Sequence, residues 1–191
     1  MTLKKQFLSL SLAVLLCLFG FSSIALGQEK AKTEALKVVF IRHGEKPKKG
    51  NNLTCEGFNR SLQLPNVLFA KFGIPSNIYI PALALGEQTK HARMFETLIP
   101  FAVKYNLLLN SSFEEKDANK IAADIKSKSG TVLVCWEHKA IINIVNSLGY
   151  ENDVKWGDDD YDSIWIVTFK DGVARFSQES EGIKPSSVCP F

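Results

Sequence analysis

Short apolar runs alternate with amphipathic stretches along the chain from residue 36 to residue 177. The apolar runs are rich in β-branched residues and too short for helices, so they predict buried strands. The amphipathic stretches repeat apolar residues every three to four positions, as one face of a helix requires. We predict strands at 36–41, 77–80 and 131–136, and helices at 54–72, 88–105, 117–128 and 139–148. This alternation predicts an α/β domain with a mainly parallel central sheet.

Turn and break signals refine this arrangement. Asp171-Gly172 separates the stretches 163–169 and 173–177, which is a two-residue hairpin signal. We therefore expect the domain to end in antiparallel edge strands. Pro65 lacks a backbone N–H, and we expect it to kink the second element or to restart the helix before residue 67.

The first 27 residues have the three-part pattern of a secretory signal peptide. Lys4-Lys5 precedes an apolar run at 7–21, and Ala25-Leu26-Gly27 places small residues where a signal peptidase cleaves. The alternative is a retained membrane anchor, but the run is shorter than the roughly 20 apolar residues of a spanning helix. A lipoprotein would need a small residue before Cys17, where Leu16 stands.

The signal peptide sets the expected organisation of the chain. We predict cleavage after Gly27, a flexible mature N-terminus at 28–35, a domain at 36–191, and a periplasmic or secreted location. Of the 23 Lys and Arg residues, two lie in the signal peptide, which has none of the 20 acidic residues. The mature chain of 164 residues then has 21 basic and 20 acidic residues, which argues against a nucleic-acid partner. No stable membrane span is expected after cleavage, and the oligomeric state stays open.

Three cysteines remain in the mature chain. Cys135 lies inside an apolar run, which predicts a buried small hydrophobe. Cys55 and Cys189 lie in loop-like contexts, and in an oxidising compartment they are the better candidates for a disulfide. Whether they pair stays open, because the sequence gives no distance between them. No Cys-x-x-Cys or His-x-x-x-His spacing predicts a metal site.

Two histidines follow two of the predicted strands directly. His43 comes after the first strand, and His138 comes after the most apolar one. Parallel strands end at the same edge of a sheet, where open α/β sheets bind their ligands. The helix that begins near Lys139 would direct its N-terminal amides to the same edge, which favours an anion.

Arg42 gives His43 a specific chemistry. A neighbouring cation disfavours the protonated imidazole, so His43 is a poor general base but is suited to act as a neutral nucleophile. Phosphoryl transfer needs positive groups around the equatorial oxygens, and the planar guanidinium of arginine binds two oxygens at once. The pair therefore indicates attack on a phosphoryl group.

Arg42-His43-Gly44-Glu45 after a strand resembles the signature of the histidine phosphatase superfamily, which has the phosphoglycerate mutase-like fold. Three further segments resemble the later motifs of this family in the same order. They are Leu53-Thr54-x-x-Gly57-x-x-Arg60, Arg93-x-x-Glu96-Thr97, and the strand that ends in His138 with the helix after it. The resemblance covers residues 36 to about 170, which is most of the mature chain.

The resemblance implies a three-layer α/β/α sandwich and a phosphatase for a small phosphorylated substrate, without metal or cofactor. It implies that His43 and His138 are catalytic, with His43 phosphorylated, and that Arg42 and Arg93 bind the substrate phosphate together with His138. The alternative is a catalytically weak or inactive phospho-ligand binding protein of the same fold. A phosphorylated component of the cell envelope is one substrate that export would suit.

The acid that protonates the leaving alcohol stays open between four residues. Glu137 stands where this family commonly has glycine, and strand alternation should turn its side chain away from His138. Glu114, Glu115 and Asp117 lie where some members place a proton donor, although a solvated loop and helix cap is the favoured interpretation.

Other polar residues near the motifs have structural interpretations. Arg60 is expected either to bind substrate or to form a salt bridge, and Glu45 to orient a basic neighbour. His91 is expected to be an ordinary helix residue. The run Asp158-Asp159-Asp160 is expected to be a solvated loop.

Overall fold

The computed structural model describes residues 34–191 apart from residues 85, 88 and 152. The predicted signal peptide and residues 28–33 of the predicted flexible N-terminus lie outside the described residues. The elements, in chain order, are β1 Lys37–Arg42, α1 Cys55–Phe72, β2 Asn77–Pro81, α2 Ala92–Tyr105, β3 Asn110–Phe113, α3 Ala118–Lys126, β4 Thr131–Trp136, α4 His138–Leu148, β5 Ser163–Lys170 and β6 Val173–Ser180.

The described strands form a six-stranded sheet in the order β3-β2-β4-β1-β5-β6. β1 pairs with β4, β4 with β2, and β2 with β3, and all three pairings are parallel. β5 runs antiparallel to β1, and the hairpin partner β6 runs antiparallel to β5. The predicted sheet, mainly parallel with a C-terminal antiparallel hairpin, is confirmed.

Helices cover both faces of the sheet. Val38 and Phe40 of β1 pack in one core cluster with α3 and α4, whereas Val39 and Ile41 pack in a second cluster with α1 and α2. This alternation follows from the two-residue period of a strand. Because each central strand is buried on both faces, its sequence is a continuous apolar run. The three-layer α/β/α arrangement is therefore confirmed.

The structure differs from the predicted elements at two places. α1 continues through Pro65 and does not restart, since Leu64, Pro65 and Leu68 are buried on the face that packs against the sheet. The edge strand β3 was not predicted, because its Asn-Ser-Ser-Phe sequence has no apolar period and its middle residues are exposed.

The chain after β6 returns to α1. Cys189 forms a disulfide with Cys55 at the start of α1, and the Asn59 side chain donates hydrogen bonds to the carbonyls of Ser186 and Val188. Cys135 is a free, buried thiol, as its apolar surroundings predicted. Among the described residues, no helix has the length and apolar character needed to cross a bilayer.

Candidate active site

The ends of β1 and β4 bring the two predicted site histidines to one edge of the sheet. These strands are parallel neighbours, and Arg42 is paired in register with Trp136. His43 follows Arg42 directly, and His138 follows Trp136 by two residues as the first residue of α4. Both histidines are buried. The topology therefore places both at the carboxyl end of the parallel strands, where ligands of α/β sheets bind.

His43 has one ring nitrogen that is fixed by the backbone. Its Nδ1 lies 2.7 Å from the carbonyl oxygen of Gly44. A carbonyl oxygen only accepts hydrogen bonds, so Nδ1 carries the proton and Nε2 keeps its lone pair. The Gly44 N–H donates to Thr97 Oγ1 at 2.9 Å, and that hydroxyl donates to the carbonyl of Arg93 at 2.7 Å. These hydrogen bonds connect the end of β1 to the first turns of α2.

The pKa of His43 is lowered from 6.5 to about 3, mainly by burial and in addition by the positive charges of Arg42, Arg93 and Lys46. The bond to the Gly44 carbonyl opposes this shift. The imidazole is therefore neutral at physiological pH, which is the state that a nitrogen nucleophile requires.

This lowered pKa predicts a pH dependence of stability. Between pH 6.5 and pH 3 the unfolded chain binds a proton at His43 that the folded protein does not bind. The free energy of unfolding therefore decreases as the pH falls through this window. Between pH 6 and pH 4 the wild type should lose stability more steeply than His43→Gln, by up to about 1.4 kcal/mol per pH unit. Urea unfolding at several pH values measures both slopes, and equal slopes would contradict the prediction.

Arg42 is held by the loop that precedes β5. Its Nη1 donates to the carbonyl oxygens of Gly157, Asp158 and Asp160 at 3.1, 2.8 and 2.9 Å, and its guanidinium lies 3.9 Å from the ring centre of Tyr161. Burial lowers the pKa of Arg42, and Tyr161 and the nearby acidic groups oppose that shift. Its Nε and Nη2 are buried without a hydrogen-bond partner in the described part of the chain. Buried donors of this kind require an acceptor, and an oxyanion at this edge of the sheet would supply one.

Arg93 lies in the first turn of α2 and is partly exposed. Its carbonyl is linked through the Thr97 hydroxyl to the N–H of Gly44, and its charge contributes to the lowered pKa of His43, so Arg93 lies beside His43. Within residues 34–191, where the structure describes them, this side chain has no hydrogen bond or ion pair. The sequence-predicted site residues Arg42, His43 and Arg93 are thus brought together, and two guanidinium groups retain donors for an anion.

His138 lies between two carboxylates. Its Nε2 is 2.9 Å from Asp158 Oδ1, and its Nδ1 is 2.6 Å from Glu137 Oε1. The second pair is close but not aligned as a hydrogen bond, and Nδ1 has no hydrogen-bond partner among the described residues. A hydrogen bond weakens steeply away from linearity, so Nδ1 stays without a hydrogen bond despite the short distance to Glu137.

Glu137 differs from its prediction. The residue is the N-cap of α4 and not the end of β4, and its Oε2 accepts the backbone N–H groups of Lys139 and Ala140. Strand alternation therefore does not apply to it, and its side chain turns toward His138, contrary to our expectation.

The other three candidate acids lie between β3 and α3. Glu115 pairs with His91 Nδ1 at 2.8 Å, and its carbonyl accepts the indole N–H of Trp136 at the end of β4. Asp117 pairs with the exposed Lys120. His91 is not an ordinary helix residue: it precedes α2 with a left-handed φ of 59°, a conformation that costs energy for a residue other than glycine. Of these three acids, Glu115 is therefore the one with a hydrogen bond to the end of β4, two residues before His138.

Arg60 belongs to a buried ion-pair network and not to the phosphate-binding groups. Its guanidinium binds Glu45 at 2.8 Å and Glu181 at 2.6 Å, and Asp162 lies 3.6 Å away. Glu45 thus orients a basic neighbour, as expected. Glu181 was not predicted, because it lies 121 residues from Arg60 in the chain.

Gly44 and Gly57 allow the loop after β1 to pack against the first turn of α1. A Cβ atom on Gly57 would lie 2.7 Å from the backbone nitrogen of Glu45, which is closer than real Cβ atoms approach other atoms. We predict that Gly57→Ala lowers the free energy of unfolding by about 1–3 kcal/mol through this overlap. Chemical denaturation measures the loss. Gln63→Ala on the exposed face of α1 serves as the control, and a similar small effect for both variants would contradict the prediction.

Neither a cluster of metal-ligating side chains nor the apolar cavity beside α1 coincides with this site in the described part of the chain. In the described part of the chain, no three His, Cys, Asp or Glu side chains are grouped to hold a metal ion. An apolar cavity of about 410 Å³ lies between the start of α1, α2 and the C-terminal residues. None of Arg42, His43, Arg93 and His138 lines it. We place the candidate site at the charged edge, because the buried nitrogens that lack a hydrogen-bond partner among the described residues belong to Arg42 and His138.

Comparison with known proteins extends the fold assignment. No protein-family model matches the sequence, and no curated protein sequence matches it. Solved structures do match. The protein histidine phosphatase SixA, solved with tungstate, is 18% identical with a TM-score of 0.57, and the match covers 76% of this chain and 97% of SixA.

Two further structures have the same fold. A mycobacterial glucosyl-3-phosphoglycerate phosphatase, solved with inorganic phosphate, is 11% identical with a TM-score of 0.51, over 75% of this chain and 95% of the other. A phosphoglycerate mutase from Bacillus anthracis is 15% identical with a TM-score of 0.50, over 78% of this chain and 93% of the other. The chain therefore has the same fold as these proteins, the phosphoglycerate mutase-like fold.

Proposed function

We propose that the protein is a metal-independent phosphomonoester phosphatase in which His43 is the nucleophile. One observation carries the proposal: a buried, neutral imidazole with a fixed Nδ1–H lies beside Arg42, whose Nε and Nη2 have no partner among the described residues. The first group is suited to attack phosphorus and the second to hold its oxygens. Arginine then supplies the positive charge that a metal ion supplies in other phosphoryl-transfer sites.

The reaction follows from these positions. His43 Nε2 attacks the phosphorus of the ester, the N–P bond forms, and the bond from phosphorus to the ester oxygen breaks. A carboxylic acid donates its proton to the leaving alkoxide, and the conjugate base then takes a proton from water. The hydroxide oxygen attacks phosphorus, the N–P bond breaks, and neutral His43 is restored with release of inorganic phosphate. Arg42, Arg93 and His138 bind the equatorial oxygens through both steps.

Structural relatives support a phosphatase activity. Two of the three structures compared above are phosphatases by name, and they were solved with tungstate and with inorganic phosphate. Both ions are tetrahedral oxyanions of the size that the free donors of Arg42 and Arg93 would bind.

We also propose that the protein acts outside the cytoplasm. The signal-peptide pattern at 1–27 supports this, and the disulfide between Cys55 and Cys189 is typical of proteins in an oxidising compartment. The N-terminal sequence of protein isolated from cell fractions tests the proposal. We expect it to begin at Gln28 in the exported fraction, and an uncleaved cytoplasmic chain would contradict export.

Hydrolysis of p-nitrophenyl phosphate in the presence of EDTA tests the proposed activity. We expect turnover that the chelator does not reduce. Loss of turnover with EDTA, restored by a divalent metal, would contradict the metal-independent mechanism. Phosphate binding without turnover would instead favour the alternative, a phospho-ligand binding protein of the same fold.

A further inference from the structure

The side chain of Asp158 already occupies a donor that the proposed function assigns to the substrate phosphate. Its Oδ1 lies 2.9 Å from His138 Nε2 and 3.4 Å from Lys139 Nζ, both in the first turn of α4. The hydrogen bond from His138 lowers the pKa of this carboxyl, and Lys139 lowers it further, so it is ionised at neutral pH. An anionic group of the protein is therefore bound where an anionic substrate is expected.

The backbone and the side chain of Asp158 have separate roles. The carbonyl oxygens of Gly157, Asp158 and Asp160 accept hydrogen bonds from Arg42 Nη1, which fixes the backbone of this loop beside the site. The carboxylate of Asp158 is 75% exposed, and its contacts are those to His138 and Lys139. Rotation of this one side chain releases His138 Nε2 without moving the loop.

The two neighbouring aspartates differ from Asp158. The Asp160 carboxylate accepts bonds from the backbone of Asp162 and Ser163 and from the Ser163 hydroxyl, so it holds the loop together. Asp159 is exposed and forms no hydrogen bond or ion pair with a described residue. Asp158 is thus the member of the run that contacts a proposed phosphate ligand, and Asp159 provides a control of equal charge.

We propose that Asp158 is an internal competitor of phosphate. Its carboxylate binds His138 in the free protein and is displaced by the phosphoryl group of the substrate. After the reaction the carboxylate returns to His138 and favours release of inorganic phosphate. The inference rests on the proposed function. The carboxylate and the phosphate cannot both accept from Nε2, and their negative charges repel each other at contact distance. An ester gains additional binding from its leaving group, whereas the inorganic product does not, so the competitor weakens product binding in particular.

The test compares Asp158→Asn with Asp159→Asn. Both variants remove one negative charge from the same loop, and asparagine keeps the size of the side chain. We expect inorganic phosphate to inhibit Asp158→Asn roughly tenfold more strongly than the wild type, in the range of ordinary coupling between sites. Asp159→Asn should change this inhibition less than about twofold, because a solvated charge without a contact is screened. Calorimetric titration with phosphate should give the same order of affinities without any need for turnover.

Three results would overturn the inference. Equal phosphate affinity in the two variants would show that only the overall charge of the loop matters. Weaker phosphate binding in Asp158→Asn would show that Asp158 orients His138 for the phosphate. Wild-type protein that neither hydrolyses phosphomonoesters nor binds phosphate would refute the proposed function itself, whereas a wild-type enzyme with unchanged variants refutes only the role of Asp158.

Discussion

His43→Ala is expected to lower the turnover of p-nitrophenyl phosphate by at least about 10⁴-fold, as removal of a covalent nucleophile does in other enzymes. The reason is that the neutral Nε2 is the atom that forms the bond to phosphorus, and its tautomer depends on the bond from Nδ1 to the Gly44 carbonyl. No neighbouring side chain of the described residues offers a second imidazole in the same position, since His138 Nε2 is hydrogen-bonded to Asp158 and its Nδ1 lies beside Glu137.

The variant should remain folded and should still bind phosphate. Arg42 keeps its three bonds to the loop at 157–160, and Arg93 is unchanged. Thermal unfolding and calorimetric titration with phosphate measure both properties. A folded His43→Ala protein that keeps more than about 1% of wild-type turnover would contradict the assignment. That activity is well above what remains in enzymes that have lost their nucleophile.

Arg60→Met is expected to lower the free energy of unfolding by about 3–5 kcal/mol. The substitution keeps much of the side-chain volume but leaves the carboxylates of Glu45 and Glu181 without their partner, and Glu181 is buried. Burial raises the pKa of Glu181 to about 8, so without Arg60 this residue is a buried acid that has lost its ion-pair partner, while the largely buried Glu45 loses its partner too. Unpaired buried groups of both kinds cost more than the net value of an exposed ion pair. Because Glu45 follows Gly44 directly, the same change should also disturb the loop that fixes His43.

An exposed ion pair of the same fold gives the matched control. Lys71 and Glu179 lie 3.1 Å apart with side chains 34% and 44% exposed. Lys71→Met should cost less than about 1 kcal/mol. Urea unfolding at pH 7 measures both losses, and similar values for the two variants would show that the Arg60 network contributes no more than a surface pair.

The sequence predicted the parts of the fold that follow from apolar patterning. β1 and β4 are buried on both faces, so their sequences are unbroken apolar runs that were easy to identify. Their positions also predicted that His43 and His138 share an edge of the sheet, since parallel neighbours end together. The helices followed from their apolar period, and the hairpin between β5 and β6 followed from Asp171-Gly172.

The sequence did not predict features that depend on contacts between distant segments. β3 is a polar edge strand whose sequence has no apolar period, and it forms a strand through its pairing with β2. The pairing of Arg60 with Glu181 depends on the path of the C-terminal residues, which no local pattern records. Cys55 and Cys189 were the favoured candidates for a disulfide, but whether they pair depends on the same path.

The environment of His138 depends in the same way on the tertiary structure. A shift of one residue at the end of β4 makes Glu137 a helix cap and turns its carboxylate toward the histidine. Asp158 belongs to a run that is typical of a solvated loop, and only the binding of that loop by Arg42 brings it to His138. The local charges were visible in the sequence, but their partners were not.

Detection of a phosphorylated His43 tests the central claim most directly. The protein is mixed with a phosphomonoester, quenched within the first turnover under alkaline conditions that preserve N-linked phosphate, digested, and analysed by mass spectrometry. We predict a phosphoryl group on the peptide that contains His43, removed by mild acid and lost in His43→Ala. Two results would contradict the account, if the ester is hydrolysed at the normal rate. In the first, the phosphoryl group is found on another residue. In the second, no phosphorylated protein is found at the earliest times.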